Sequence, residues 1–161
     1  MVWMNNGDLI ERLCTAVHEQ EHGYSSYNSQ HSIKRDPVTG EYELLTERAY
    51  YTGEGSQIMV PETESYHTEE IAAIVPEDLR SFSYSTGVDL DSNVNGIYGL
   101  MNEFTAYCWG SITNVSLYEY FLDQPFSEEN WLKYVMMSSG DYFAYSEFKY
   151  YILSYLIYAK E

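Results

Sequence analysis

His18, Glu19 and His22 are of the types, and at the spacing, that metal-assisted hydrolysis requires. They belong to the pentapeptide His18-Glu19-Gln20-Glu21-His22, and the run before it, residues 8–17, reads as a helix. Residues four apart share a helix face, so both imidazoles project to one side and can grip a single zinc ion. Glu19 lies about 100° around the helix from His18, which makes it a poor third ligand. It can instead take a proton from a water held at an open zinc position and pass it to a leaving amine. That is the chemistry of the H-E-x-x-H pattern. The bland alternative is two surface histidines that happen to sit one turn apart.

A catalytic zinc usually has three protein ligands and one open position. The extended form H-E-x-x-H-x-x-G-x-x-H needs a histidine at position 28, where the chain has Asn28. That excludes the metzincin pattern. His31 and His67 have no local context that places them. Glu103 is the better candidate, because the stretch from Tyr98 to Trp109 is a largely apolar helix with one carboxylate in it. A carboxylate buried there is costly unless it is paired or bound to a cation. Ala106, three residues on, leaves room for another helix to approach.

The pair of segments His18-Glu19-x-x-His22 and Asn102-Glu103-x-x-Ala106 resembles the gluzincin group of zinc metallopeptidases. The resemblance implies zinc ligands His18, His22 and Glu103, with Glu19 as general base and a peptide or protein as substrate. It covers these two helices only. In the family a small sheet precedes the motif helix and offers an edge strand to the substrate, whereas here only residues 1–17 precede His18. Either a later hairpin supplies that edge, or the chain is a fragment or a degenerate relative. A tyrosine, histidine or arginine should steady the oxyanion; Tyr24, Tyr27, His67 and Tyr98 are all candidates.

Around these residues the expected architecture is α+β, mainly helical and zincin-like, in one domain over residues 1–161. The apolar stripe Leu9, Leu13, Ala16 and Val17, with Ile10 and Cys14 at its edge, places the motif helix. Asn6 or Asp8 can cap its start and Gly23 can end it. A polar stretch from 24 to 39 follows. A hairpin spans 41–52 and 57–60 around Gly53-Glu54-Gly55, and its edge is the natural one for a peptide to align against. Short helices are expected at 68–74 and 76–80. The Glu103 helix is expected over about 95–123, broken near Gly110, with two more helices at 127–137 and 142–159. Asp91-Ser92-Asn93-Val94-Asn95-Gly96 matches the opening of a calcium loop, but its twelfth position is Asn102 rather than Glu, so a capping loop is the simpler reading.

Composition narrows the function classes. The formal net charge is −17, which argues against direct binding to nucleic acid or to an anionic membrane. No stretch is long and apolar enough to cross a membrane. Eighteen tyrosines suit core packing with a wet hydroxyl edge. Cys14 and Cys108 can form a disulfide or remain a pair of buried thiols. The first residues lack the basic region and apolar run of a signal peptide. The expectation is a cytoplasmic protein if Met1 is the native start, with secretion open if the N-terminus is trimmed. Two other classes compete: a catalytically inactive zincin-like binding domain, and an acidic nucleic-acid mimic that blocks a basic partner. Oligomeric state is not legible.

Overall fold

The computed structural model describes residues 9–86 and 91–161. The proposed caps Asn6 and Asp8, and the side chain of Leu9, lie outside the described residues. Among the described residues, five helices and a small sheet appear in the order α1 (Leu9–Asn28), β1 (Gln30–Arg35), β2 (Tyr42–Gly53), β3 (Ser56–Pro61), α2 (Asp91–Val94), α3 (Gly96–Ser116), α4 (Tyr118–Asp123) and α5 (Glu128–Tyr158). Two 3-10 turns, Thr68–Ile71 and Phe82–Ser85, lie between sheet and α2. This is the mainly helical α+β arrangement expected of a zincin-like chain.

Helix α3 is the centre of the molecule. It runs antiparallel to α1, so that Cys14 meets Asn114 and His22 meets Asn102. On its other side it runs antiparallel to α5, with Gly96 near Tyr155 at one end and Gly110 near Asp141 further along, and Phe104 stacks on Tyr145 and Tyr107 on Phe148 between them. Ile71, Val75, Leu100, Ala144, Phe148, Tyr151 and Tyr155 form the apolar core between α3, α5 and the first 3-10 turn. Ala106 is fully buried, as a close helix approach requires. Gly96 opens α3 at φ +54°, and a Cβ there would lie 2.1 Å from the Tyr66 carbonyl. Only glycine fits that start.

The hairpin lies where the sequence places it: β2 and β3 pair antiparallel across Gly53-Glu54-Gly55, from Glu47 opposite Pro61 to Tyr51 opposite Gln57. Four other expectations are corrected. Gly23 does not end the motif helix, which continues one and a half turns to Asn28. Its last carbonyls are taken up by the Asn28 side chain, which donates to the Tyr24 carbonyl, and by the Ser29 hydroxyl, which donates to that of Ser25. The polar stretch after it contains β1, wholly exposed and paired antiparallel with β2. Helix α3 passes straight through Gly110, whose missing side chain seats the Asp141 carboxylate 2.8 Å from where a Cβ would be. The chain breaks instead at Leu117. The two C-terminal helices are one, α5, uninterrupted at Gly140.

The phase of α1 also differs. Leu13 is 43 % exposed, whereas Cys14, Glu21 and Ser25 are at most 6 % exposed. The buried line of this helix is largely polar. Glu21 accepts from the Ser25 hydroxyl and from the Tyr51 backbone, which ties α1 to β2. Burial raises the Glu21 carboxyl above its ordinary value despite these bonds. The cysteines are both thiols rather than a disulfide. Cys14 donates to Asn114, whose amide donates in turn to Asp141. Burial, reinforced by the Asp141 charge, pushes the Cys14 thiol up to about 11.

Candidate metal centre

Helix α1 delivers His18 and His22 one turn apart, and α3 delivers Glu103 opposite them. One nitrogen of each histidine and one carboxylate oxygen of Glu103 all lie within 4.8 Å of one another. The two Nε2 atoms are 3.0 Å apart, and each is 3.7 Å from Glu103 Oε2. These atoms converge on one point without filling it. Glu103 Oε2 is buried and accepts no hydrogen bond. A buried carboxylate oxygen in that state costs free energy that a cation would recover.

The tautomers and protonation states suit a cation as well. His22 Nδ1 donates to Asn102 Oδ1, which leaves the Nε2 lone pair directed at the site. A ligating histidine typically has its other ring nitrogen held in this way. Asn102 therefore has a role that its place beside Glu103 did not reveal: it orients His22. Burial, with His22 beside it, lowers His18 from 6.5 to about 4, so its imidazole is neutral near pH 7. Burial, reinforced by Glu19 and opposed by His22, raises the Glu103 carboxyl from 4.5 to about 7. Two neutral-capable imidazoles and one carboxylate form a donor set for a divalent metal. Removing the Asn102 amide should weaken that site: Asn102→Ala is expected to lose about 10- to 100-fold in divalent-metal affinity, read by competition with a chromogenic chelator.

Glu19 is exposed beside the triad, outside the ligand group, and lines the hollows on both sides of it. The first hollow, about 420 Å³, is walled by α1, α3 and the inner strand residues Arg48, Ala49 and Tyr50. Arg48 is held there by a two-pronged bond to Glu62 and a contact with Asn95.

The candidates for oxyanion stabilisation separate clearly. Tyr27 is 89 % exposed and His67 is exposed, neither on the site. Tyr24 points along the sheet to Gln57. Tyr98 lines the first hollow, but its hydroxyl is engaged with Pro61 and Thr63. The residue at the junction is Tyr84, which lines both hollows together with His18 and Glu19. It was missed in the sequence because nothing local marks it among so many tyrosines.

Tyr84 is held in place from a distance. Glu147 on α5 accepts from the backbone of Arg80 and Ser81 at 3.1 and 2.6 Å. Thr68 donates to the Tyr84 carbonyl and Asn93 to that of Ser83. The Tyr84 ring packs edge-on against Phe148. Tyr107 stands beside it on the wall of the second hollow. Burial and the Glu103 charge together raise Tyr84 above its ordinary value, so it remains a donor at neutral pH.

Asp91-Ser92-Asn93-Val94, the start of the candidate calcium loop, is a single helical turn. Ser92 and Asn93 are buried in it rather than open to a cation. No helix among the described residues is long and apolar enough to cross a membrane. Comparison with family models, with curated proteins and with solved structures gives no match. The geometry therefore speaks alone, and His18, His22 and Glu103 stand in the arrangement of an H-E-x-x-H…E motif of gluzincin type, consistent with a metallopeptidase active site.

Proposed function

We propose that this chain, as one domain, is a zinc-dependent hydrolase of peptide bonds, with His18, His22 and Glu103 as ligands and Glu19 as general base. The observation that carries the proposal is the convergence of two Nε2 atoms on a buried, unbonded carboxylate oxygen. A zinc ion bound there would polarise a carbonyl and bring the pKa of a water near 7. Glu19 takes the proton of the attacking water and delivers it to the leaving amine nitrogen, which then departs neutral. Tyr84 donates its hydroxyl proton as a hydrogen bond to the former carbonyl oxygen as negative charge gathers there. Asn102 keeps His22 in one tautomer throughout.

The decisive test is metal content by mass spectrometry on protein purified without chelator, followed by turnover of an internally quenched peptide. About one zinc per chain with turnover is the expected result. No zinc after reconstitution would end the proposal. Tyr84→Phe keeps the packing on Phe148 and removes only the donor. It is expected to lower kcat about a hundredfold with KM and zinc content unchanged.

A further inference from the structure

Helix α5 is apolar on two faces. Its inner face, with Ala144, Phe148, Tyr151 and Tyr155, packs into the core. Its outer face is exposed and apolar as well, whereas a helix apolar all round is normally buried. The outer residues fall into two rows, each with a seven-residue repeat. One row is Met136, Phe143, Tyr150 and Ile157, between 43 and 65 % exposed; the other is Leu132, Ser139, Ser146 and Leu153. Rows that alternate in steps of four and three form the seam of a helix pair. Ser139 donates to the Met136 carbonyl and Ser146 to that of Tyr142, so both hydroxyls are satisfied within α5 and lose no bond when covered.

The two rows are complementary to themselves. Two α5 helices laid antiparallel, with Phe143 of one copy opposite Ser146 of the other, also set Tyr150 against Ser139, Met136 against Leu153 and Ile157 against Leu132. Each aromatic ring meets a small residue, and each long apolar chain meets another. One heptad before Met136, the exposed Glu129 meets the exposed Lys160 of the second copy. A parallel pair would instead set serine on serine, Glu129 on Glu129 and Lys160 on Lys160. The 31 residues of α5 run about 46 Å. With Val135, Tyr142 and Leu156 alongside, the face exposes on the order of 1,000 Å² of apolar side chain, against roughly 800 Å² per partner in a stable interface. We propose that a second copy of this chain covers the outer face of α5, antiparallel about a two-fold axis and in this register. The pairing does not rest on the hydrolytic reading: it covers Met136 on the rim of the second hollow, and no α5 residue lines the sheet-side one.

Sedimentation equilibrium in about 0.5 M salt, which screens the repulsion between two chains of charge −17, should show a dimer. Phe143→Glu should raise its dissociation constant at least about thirtyfold with the helical circular-dichroism signal retained. Ile33→Glu, also at an exposed position but on β1, should leave the dimer unchanged. Ser146→Phe sets two rings at one point and should dissociate the pair. Adding Phe143→Ser exchanges large and small and should restore it, which a merely structural role for either residue does not predict. In a parallel pair Ser146→Phe would fill a gap and tighten the dimer. A monomeric parent, a dimer indifferent to Phe143→Glu, tightening by Ser146→Phe alone, or an exchange that fails to restore pairing would each overturn the proposal. A monomeric parent that floats with vesicles of phosphatidylcholine and phosphatidylglycerol would overturn it too, and would give the face to a lipid surface.

Discussion

Glu103→Ala is expected to abolish stoichiometric zinc binding while leaving the metal-free protein folded, and at pH 8 more stable than its parent. The reasoning starts from the unbonded Oε2. A carboxyl raised from 4.5 to about 7 binds more protons in the folded state than in the unfolded one across that window. Stability of the metal-free parent therefore falls as pH rises from about 4.5 through about 7, by at most a few kcal/mol, on the order of the shift itself. Below the unfolded value the penalty is absent. Alanine removes it at every pH, at the cost of a small cavity between α1 and α3. Zinc acts in the opposite sense, because it binds only the folded site. At a concentration about a thousandfold above its dissociation constant it adds about 4 kcal/mol. Thermal melts at pH 5 and pH 8, with and without zinc, check all of this. The parent should gain strongly from zinc at pH 8, and the variant should gain nothing. A variant that kept both its zinc and its zinc-induced stabilisation would remove Glu103 from the ligand set.

The parts of this site that were legible in the sequence are those whose physics is local or costly. His18 and His22 share a face wherever they lie on a helix, so their convergence follows from spacing alone. Glu103 was legible because a lone carboxylate among apolar residues demands a partner. Other features depend on distant groups. Leu13 and its apolar neighbours suggested a phase for α1 that the fold does not use. The helix turns instead a polar line, Cys14, Glu21 and Ser25: Cys14 bonds to Asn114 on α3, Glu21 to the Tyr51 backbone on β2, and Ser25 to Glu21 itself. Hydrophobic periodicity cannot see a buried face made of satisfied polar groups.

Strand β1 has no alternating apolar pattern, since both its faces are exposed and its bonds come from β2. Gly110 and Gly140 suggested breaks in helices that continue through both. At Gly110 the missing side chain admits Asp141. Tyr84 was illegible for a similar reason. Its position is set by Thr68, Asn93 and Glu147, which come together only when the chain has folded. The net charge of −17 suggested an acidic mimic as a rival. That reading gives no account of why His22 is bonded to Asn102 or why Glu103 is buried opposite two histidines.

Glu19→Gln separates catalysis from metal binding more sharply than any ligand substitution. The amide matches the carboxylate in shape and cannot accept the proton of the attacking water. Turnover of a quenched peptide is expected to fall about a thousandfold or more, with KM little changed. Zinc content should remain at about one per chain, since Glu19 is outside the ligand group. Electrostatics predicts a further sign. The Glu19 charge is among those that raise Glu103. Its removal makes Glu103 easier to ionise, so protons compete less with the cation and zinc affinity near pH 6 should hold or rise. Chelator competition at pH 6 and pH 8 measures this directly. Loss of zinc in the variant would mean that Glu19 builds the site instead of working in it. Activity within a few fold of the parent would place the general base elsewhere, with the carboxylate of Asp141 next to be tested.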